Sequence, residues 1–387
     1  MPLGWHLGVA PAALLVFFCG VTAQTVVGDS EITEDTRWTR EGGPYVVMSP
    51  LTVQGGATLE IAAGTVVRFR RGAFLRVGWK TPGSLTVTGT SRRPVIFTAD
   101  GDEPEPGAWA GIESLVEGSE VRLSWAVVEW AGAEAKGTAA ARAALRIGPG
   151  STADVQNCVV RQAAAHGVEL DTERKVQFSG NRVHECRGAA VMTGANAAAY
   201  VAPDNRFEHN GLDAIVVGEV GLPALTRSAV WAHTASPYVI RGDLLVGDPD
   251  ALVTLRLDPG VTVLFGPGAA MTVGWSYPAD LVARGSDRAP IRFGALAGPW
   301  DGVYLGGTGP GTLLDHCVFS GGGAERAMLN VESNAHALVR DCAFRDSRGW
   351  GVFLWKGALA RIEACTFSGN RKGDIGREEL RAAQARL

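Results

Sequence analysis

The chain has 387 residues, enough for two or three average domains or for one elongated repeat body. Its 36 Lys and Arg against 40 Asp and Glu give a formal charge of −4, which excludes recognition of nucleic acid or of an anionic membrane through bulk charge. A hydrophobic share of 46% with 20% charged residues excludes a disordered chain, and the 51 glycines, about twice the usual share, lack the three-residue period of collagen.

In chain order, residues 1–23 read as a signal peptide. Leu7 to Cys19 is apolar, and Val21 and Ala23 supply small residues at the −3 and −1 positions of a cleavage site that leaves Gln24 first. That run is too short to anchor in a bilayer, and Phe18 before Cys19 is wrong for a lipoprotein signal. No later stretch has the length and apolarity of a transmembrane helix, so a secreted or envelope-exposed protein is expected. Residues 24–37 are expected to be a linker.

The remainder repeats itself, in units placed at 38–230 and 231–375. Trp38 and Pro44-Tyr45-Val46-Val47 recur as Trp231 and Pro237-Tyr238-Val239-Ile240. Val77-Gly78-Trp79 recurs as Val273-Gly274-Trp275, and Gly107-Ala108-Trp109-Ala110-Gly111 as Gly298-Pro299-Trp300-Asp301-Gly302. Each unit ends in a shorter period of about 23 residues, anchored on Cys158, Asn181 and Asn205, then on Cys317, Cys342 and Cys365. Two residues after each anchor stands Val160, Val183, Phe207, Phe319, Phe344 or Phe367. Apolar residues spaced by two, with Gly, Asn and Ser between the runs, predict short strands joined by tight corners. The predicted fold is therefore all-β: a right-handed parallel β-helix solenoid of two duplicated units, closed by a short capping helix over 376–387 in which Leu380, Ala383 and Leu387 share one side. A helical solenoid is excluded by Gly or Pro every few residues.

The segments Gly56-Ala57-Thr58-Leu59-Glu60-Ile61, Gly64-Thr65-Val66-Val67-Arg68-Phe69, Arg93-Pro94-Val95-Ile96-Phe97 and Trp109-Ala110-Gly111-Ile112 resemble the leading part of secreted bacterial right-handed parallel β-helix repeat proteins of pectate-lyase-like architecture. That resemblance covers nearly all of the chain after the signal, in two copies. It implies a fold shared by surface proteins without known chemistry and by relatives of polysaccharide lyases and hydrolases, so it does not select an activity.

Candidate chemistry follows from residues that share a position on successive coils. Arg161, His184 and Glu208 lie three residues after their anchors, and Gln162, Glu185 and His209 four after, so stacking would gather acid, base and cation in one patch. The alternative is a solvated corner surface. Asp315-His316 resembles the Asp-His element of pectate-lyase-like helices, but Arg288-Ala289-Pro290-Ile291-Arg292 lies upstream of it and is one residue short of that family's catalytic-arginine context. With Val352 and Leu354 inward, Phe353 and Trp355 are expected outward beside Trp350, as an aromatic surface for a sugar face. Trp79, Trp275, Trp109 and Trp300 are expected to pack loops on the tube. The cysteines after the signal are odd in number and occupy small inward corner positions, with Cys342 and Cys365 near enough for a bridge. No CxxC pair and no calcium-binding glycine-aspartate array occurs, so no metal or cofactor is expected. The expected function is a structural or adhesive module, contacting polysaccharide or cell-surface glycan without catalysis; the alternative is a polysaccharide lyase, glycoside hydrolase or epimerase on the same scaffold.

Overall fold

A computed structural model describes residues 24–132 and 143–378. Its strands are short, mostly two to five residues, and alternate buried and open positions, as in Thr58–Ala62 and Thr152–Gln156. Every pairing between these strands is parallel and joins one coil to the next, so each strand finds its hydrogen-bond partners in neighbouring coils and never within its own. Glycine is required at corners such as Gly78 and Gly274, where a left-handed φ of 78° and 73° coincides with close approach: a Cβ would stand 2.2 Å from Ser119 Oγ and 3.0 Å from the Gly307 backbone.

Coils begin earlier and end later than expected. Thr25–Val27, Glu31–Ile32 and Thr36–Trp38 pair with Tyr45–Val47, Leu51–Val53 and Thr58–Ala62, so residues 24–37 are not a linker but the first coil. Their alternation is brief and mostly exposed, which hides it from a pattern search. At the other end Gly373–Arg377 is a strand pairing with Trp350–Leu354, which occupies the first two positions of the expected capping helix. Glu378 continues that pairing with a backbone bond to Leu354 O, and the remainder of the expected helix, from 379 onward, and the signal peptide fall outside the described residues.

One 14-stranded sheet, hereafter the through-sheet, runs from Glu31–Ile32 to Thr366–Ser368 and crosses the expected unit boundary at 230/231 without a break. At strand spacing its 14 members span about 60 Å. The recurring landmarks change face on the way. Tyr45–Val47 belongs to an eight-stranded sheet that starts at Thr25–Val27 and stops at Arg206–Glu208. Its counterpart Tyr238–Ile240 pairs instead with Ile215–Val217, in the through-sheet. The later coils are thus seated one face round from the earlier ones, and a new seven-stranded sheet and a new six-stranded sheet begin at Ala224–Leu225 and Ala229–Trp231. On the outside of the through-sheet this junction is marked by a small second apolar cluster of Met192, Val216 and Val239, covered by Val220 and Leu296.

Inside, one continuous apolar core fills the tube. Flat rings stack at coil spacing: Phe293 on Phe319 at 4.6 Å, Phe319 on Phe344 at 4.8 Å and Phe344 on Phe367 at 5.3 Å. Trp109 and Trp300, expected to pack loops on the tube, are fully buried members of the core itself, stacked on Phe69 at 4.1 Å and on Phe265 at 4.4 Å. Their indole N–H groups donate to Glu129 O and Ser320 O. A Cβ at Gly322 would stand 2.4 Å from the Trp300 ring, so glycine alone fits there.

The anchors form a buried polar file. Asn181 Oδ1 accepts from Cys158 N, and Asn205 Oδ1 accepts from Asn181 N, each at 2.9 Å, while Asn181 Nδ2 donates to Val155 O. These bonds satisfy corner backbone groups that the sheets leave out. All five described cysteines are free, including Cys342 and Cys365, and burial pushes the Cys158 thiol up to about 12 and the Cys186 thiol up to about 11. Asn181→Ala removes two of these bonds at a buried site and should destabilise the chain by about 1–3 kcal/mol. Urea unfolding measures the loss, and hydrogen exchange should show faster exchange at the Cys158 amide than in the unmodified chain.

Candidate functional site

The eight-stranded sheet does stack Arg161, His184 and Glu208, in register and on its outer face, continuing from Glu129. The arrangement pairs charges rather than leaving them open. Arg161 Nε donates to Glu129 at 2.8 Å and Arg182 Nη2 donates to Glu208 at 2.7 Å. The Arg182 bond holds the Glu208 carboxyl below its ordinary range, which suits an acceptor and not a proton donor. His184 is buried, 7% exposed, and desolvation holds its pKa below the usual 6.5, with Arg182 reinforcing the shift. Glu185 and His209 occupy left-handed corners at φ of 56° and 57°, and the His209 N–H is held by Asp213.

Asp315 and His316 are brought together with groups that spacing alone did not suggest. Asp315 is buried; its Oδ2 accepts from Arg340 at 2.6 Å and its Oδ1 lies 2.7 Å from His316 Nδ1. The Arg340 guanidinium, more than the histidine, holds the Asp315 carboxyl below the usual carboxylate range. His316 Nε2 faces Asp287 at 3.4 Å, and Asp341 comes within 4.8 Å of the Asp315 and His316 ligand atoms. The Arg340 guanidinium already neutralises the Asp315 carboxylate, so the group works as a clasp between adjacent coils and offers a metal a poor first ligand.

The expected aromatic surface needs correction. Phe353 does stand in the outward file of the seven-stranded sheet, in register between Asn330 and Gly376. Its ring is nevertheless buried, 6% exposed. The Arg326 guanidinium covers it at 4.7 Å and covers Trp355 at 4.4 Å, while Gly376 packs against Phe353 and Trp350 from the last coil. Trp350, Phe353 and Trp355 are therefore a packed arginine-aromatic cluster at the end of the rod. Trp79 and Trp275, expected to pack, are instead 54% and 61% exposed. The left-handed glycine before each breaks the inward-outward alternation and swings the indole out at the corner.

Trp275 marks the site that spacing rules missed. A cleft of about 380 Å³ opens on the outer face of the seven-stranded sheet, where Leu245, Thr272 and Tyr304 follow one another in register. Trp275 stands at its side, and the carboxylates of Asp243, Asp301 and Glu325 line it. A more apolar pocket of about 230 Å³ adjoins it across Leu245, Thr272 and Trp275 and continues to Tyr277. Leu245 and Tyr277 are 48% and 46% exposed, an unusual concentration of open apolar side chains on this rod. Asp301 is fixed from both sides: Oδ2 accepts from Tyr304 Oη at 2.8 Å, and Oδ1 accepts from Glu325 N at 3.1 Å. Burial, seconded by Asp301, keeps the Tyr304 phenol well above its ordinary pKa and hence a donor. The signal available in sequence was Trp275-Ser276-Tyr277, two aromatics with no apolar partner beside them in the coil pattern.

Parallel strands stacked coil on coil define the class by fold, a parallel β-helix solenoid. Residues 30–123 match the family model described as a pectate-lyase like beta helix domain, and the later coils extend the same architecture. No curated protein and no solved structure matches the chain. Among the described residues no helix is long and apolar enough to cross a membrane.

His184 gives a pH signature. Its folded pKa lies below its unfolded value of about 6.5, so the unfolded chain takes up the proton first and stability falls as pH drops below about 6.5, levelling once the folded pKa is passed. The difference in urea midpoint between the unmodified chain and His184→Gln should therefore change across that window and be flat above pH of about 7.5. A difference constant with pH would show that His184 is not held neutral.

Proposed function

We propose that the protein is a secreted or envelope-exposed β-helix module, built from two copies of one repeat unit, that binds polysaccharide or cell-surface glycan and carries out no reaction on it. The observation behind this reading is the cleft at Trp275, where exposed indole and phenol rings border fixed polar groups on a rigid sheet. Sugar rings present C–H faces that stack on such aromatics, and their hydroxyls exchange hydrogen bonds with carboxylates and with a tyrosine. A pre-formed sheet face holds Asp301 and Tyr304 in place before binding, so little ordering of that part of the site is needed when a ligand arrives. The ionisable residues that suggested catalysis are tied up in ion pairs or buried: Arg161 with Glu129, Glu208 with Arg182, and Asp315 with Arg340. A general acid needs a raised carboxyl pKa, and Glu208 and Asp315 are both shifted the other way. Binding without turnover is what such a surface supports.

Glycan-array binding by the secreted form, followed by calorimetry on the strongest oligosaccharide, tests the reading. Trp275→Ala should weaken that binding by about tenfold, the size expected for one lost aromatic stack. Turnover of any polysaccharide that disappears in His184→Ala or His316→Ala would overturn the non-catalytic reading in favour of a lyase, hydrolase or epimerase.

A further inference from the structure

The geometry points to glycans bearing free amines, such as oligomers of 2-amino sugars, as the ligand class of the Trp275 cleft; this rests on the glycan-binding reading above and adds the charge of the ligand to it. Three carboxylates line the cleft, from Asp243, Asp301 and Glu325, and no described Lys or Arg does. The one cation next in the chain, Arg326, is turned away: its guanidinium lies over Phe353 and Trp355 at the end of the rod. Elsewhere on the molecule carboxylates on the outer sheet faces are met by arginines from adjacent coils, as in Arg146 with Glu169 and Arg161 with Glu129. Among the described residues, the cleft lacks that compensation and borders exposed aromatic rings.

This arrangement separates the three charge classes of polysaccharide. An acidic polymer would bring its carboxylates against Asp243 and Glu325 with no counter-charge between them, and like charges brought together repel. A neutral sugar can stack on Trp275 but leaves the carboxylates with only hydroxyl donors. A protonated amine satisfies them with charge-assisted hydrogen bonds, while the same sugar ring lies on the indole and its cationic edge is drawn to the aromatic face. Asp301 is suited to fix such a group in position. Tyr304 Oη and the Glu325 N–H hold each of its oxygens by one bond, which orients the carboxylate and leaves lone pairs on both for a ligand donor. Asp243 and Glu325 are exposed and able to move toward the ligand.

Calorimetric titration of the secreted chain at about pH 5.5, where amino-sugar amines are protonated, with hexamers of glucosamine, N-acetylglucosamine and galacturonate tests the assignment. The glucosamine hexamer should bind at least about tenfold more tightly than the N-acetylated one at about 50 mM salt, and that advantage should shrink at about 500 mM. Asp243→Asn with Glu325→Gln, two exposed and near-isosteric changes, should bring the amine-bearing hexamer down to the level of the neutral one. Trp275→Ala should weaken both. Equal affinity for the two, or preference for the galacturonate hexamer, overturns the charge assignment and leaves the glycan reading standing. No binding of any of the three, together with a blank glycan array, overturns the glycan reading itself. Polylysine bound as tightly as the glucosamine hexamer and indifferent to Trp275→Ala would reduce the site to an acidic surface and also overturn the assignment.

Discussion

The parallel hydrogen-bond ladder between successive coils is the constraint on which everything else in this molecule depends. A strand of three to five residues cannot satisfy its own backbone, and here each one is satisfied only by the coil before it and the coil after it. Stacking at strand spacing then forces like positions into files. Inward files become the aromatic and aliphatic core, corner files become Asn and Cys, and outward files become the surface. A side chain on the outside is therefore judged by its neighbours one coil away and not by its neighbours in sequence.

That rule explains why charge on this rod is so often self-compensating. Outward files bring Arg76 to Glu113 and Arg146 to Glu169, with bond distances of 2.6 and 2.5 Å, and both partners of each pair are partly sheltered. Such pairs fix register more than they add stability, since a one-coil slip would set like charges together. At the junction the outward file of the through-sheet turns apolar, with Met192, Val216 and Val239, at the point where the later coils are seated one face round. An ion-pair file would constrain the incoming strand to one charge pattern. An apolar file accepts Tyr238–Ile240 in place of the strand that led the earlier coils.

Much of this is readable in the sequence because the period is carried by buried residues. Cys158, Asn181 and Asn205 announce the coil length through a hydrogen-bonding need that only a few small residues meet, and the recurring pairs Trp109 with Gly111 and Trp300 with Gly302 mark coils where an indole enters the core and a glycine lies close against the carbonyls of the next coil. The change of face was hidden, because sequence repetition reports which residues recur and not which sheet they join. The first coil was hidden because Thr25–Val27 and Glu31–Ile32 bury so little. The site was misplaced for a related reason. Parity along Val352-Phe353-Leu354 correctly puts Phe353 outside the tube, but outside is not exposed when Arg326 and Gly376 from flanking coils close over the ring.

Exposure of Trp275 follows from the same rule applied at a corner. Met271 and Val273 point into the core, Thr272 points out, and Gly274 with its positive φ then ends the alternation. The indole is left beyond the sheet edge, and Trp275 stays 61% exposed. The corresponding Trp79 is also open, but there Arg76 lies 4.4 Å over the ring while bound to Glu113, so ring, cation and carboxylate already complete one another. Around Trp275 the carboxylates are present and the arginine is not. A β-helix compensates its outer charges coil by coil, and a stretch left uncompensated next to an open ring is where a ligand can supply what the neighbouring coil does not.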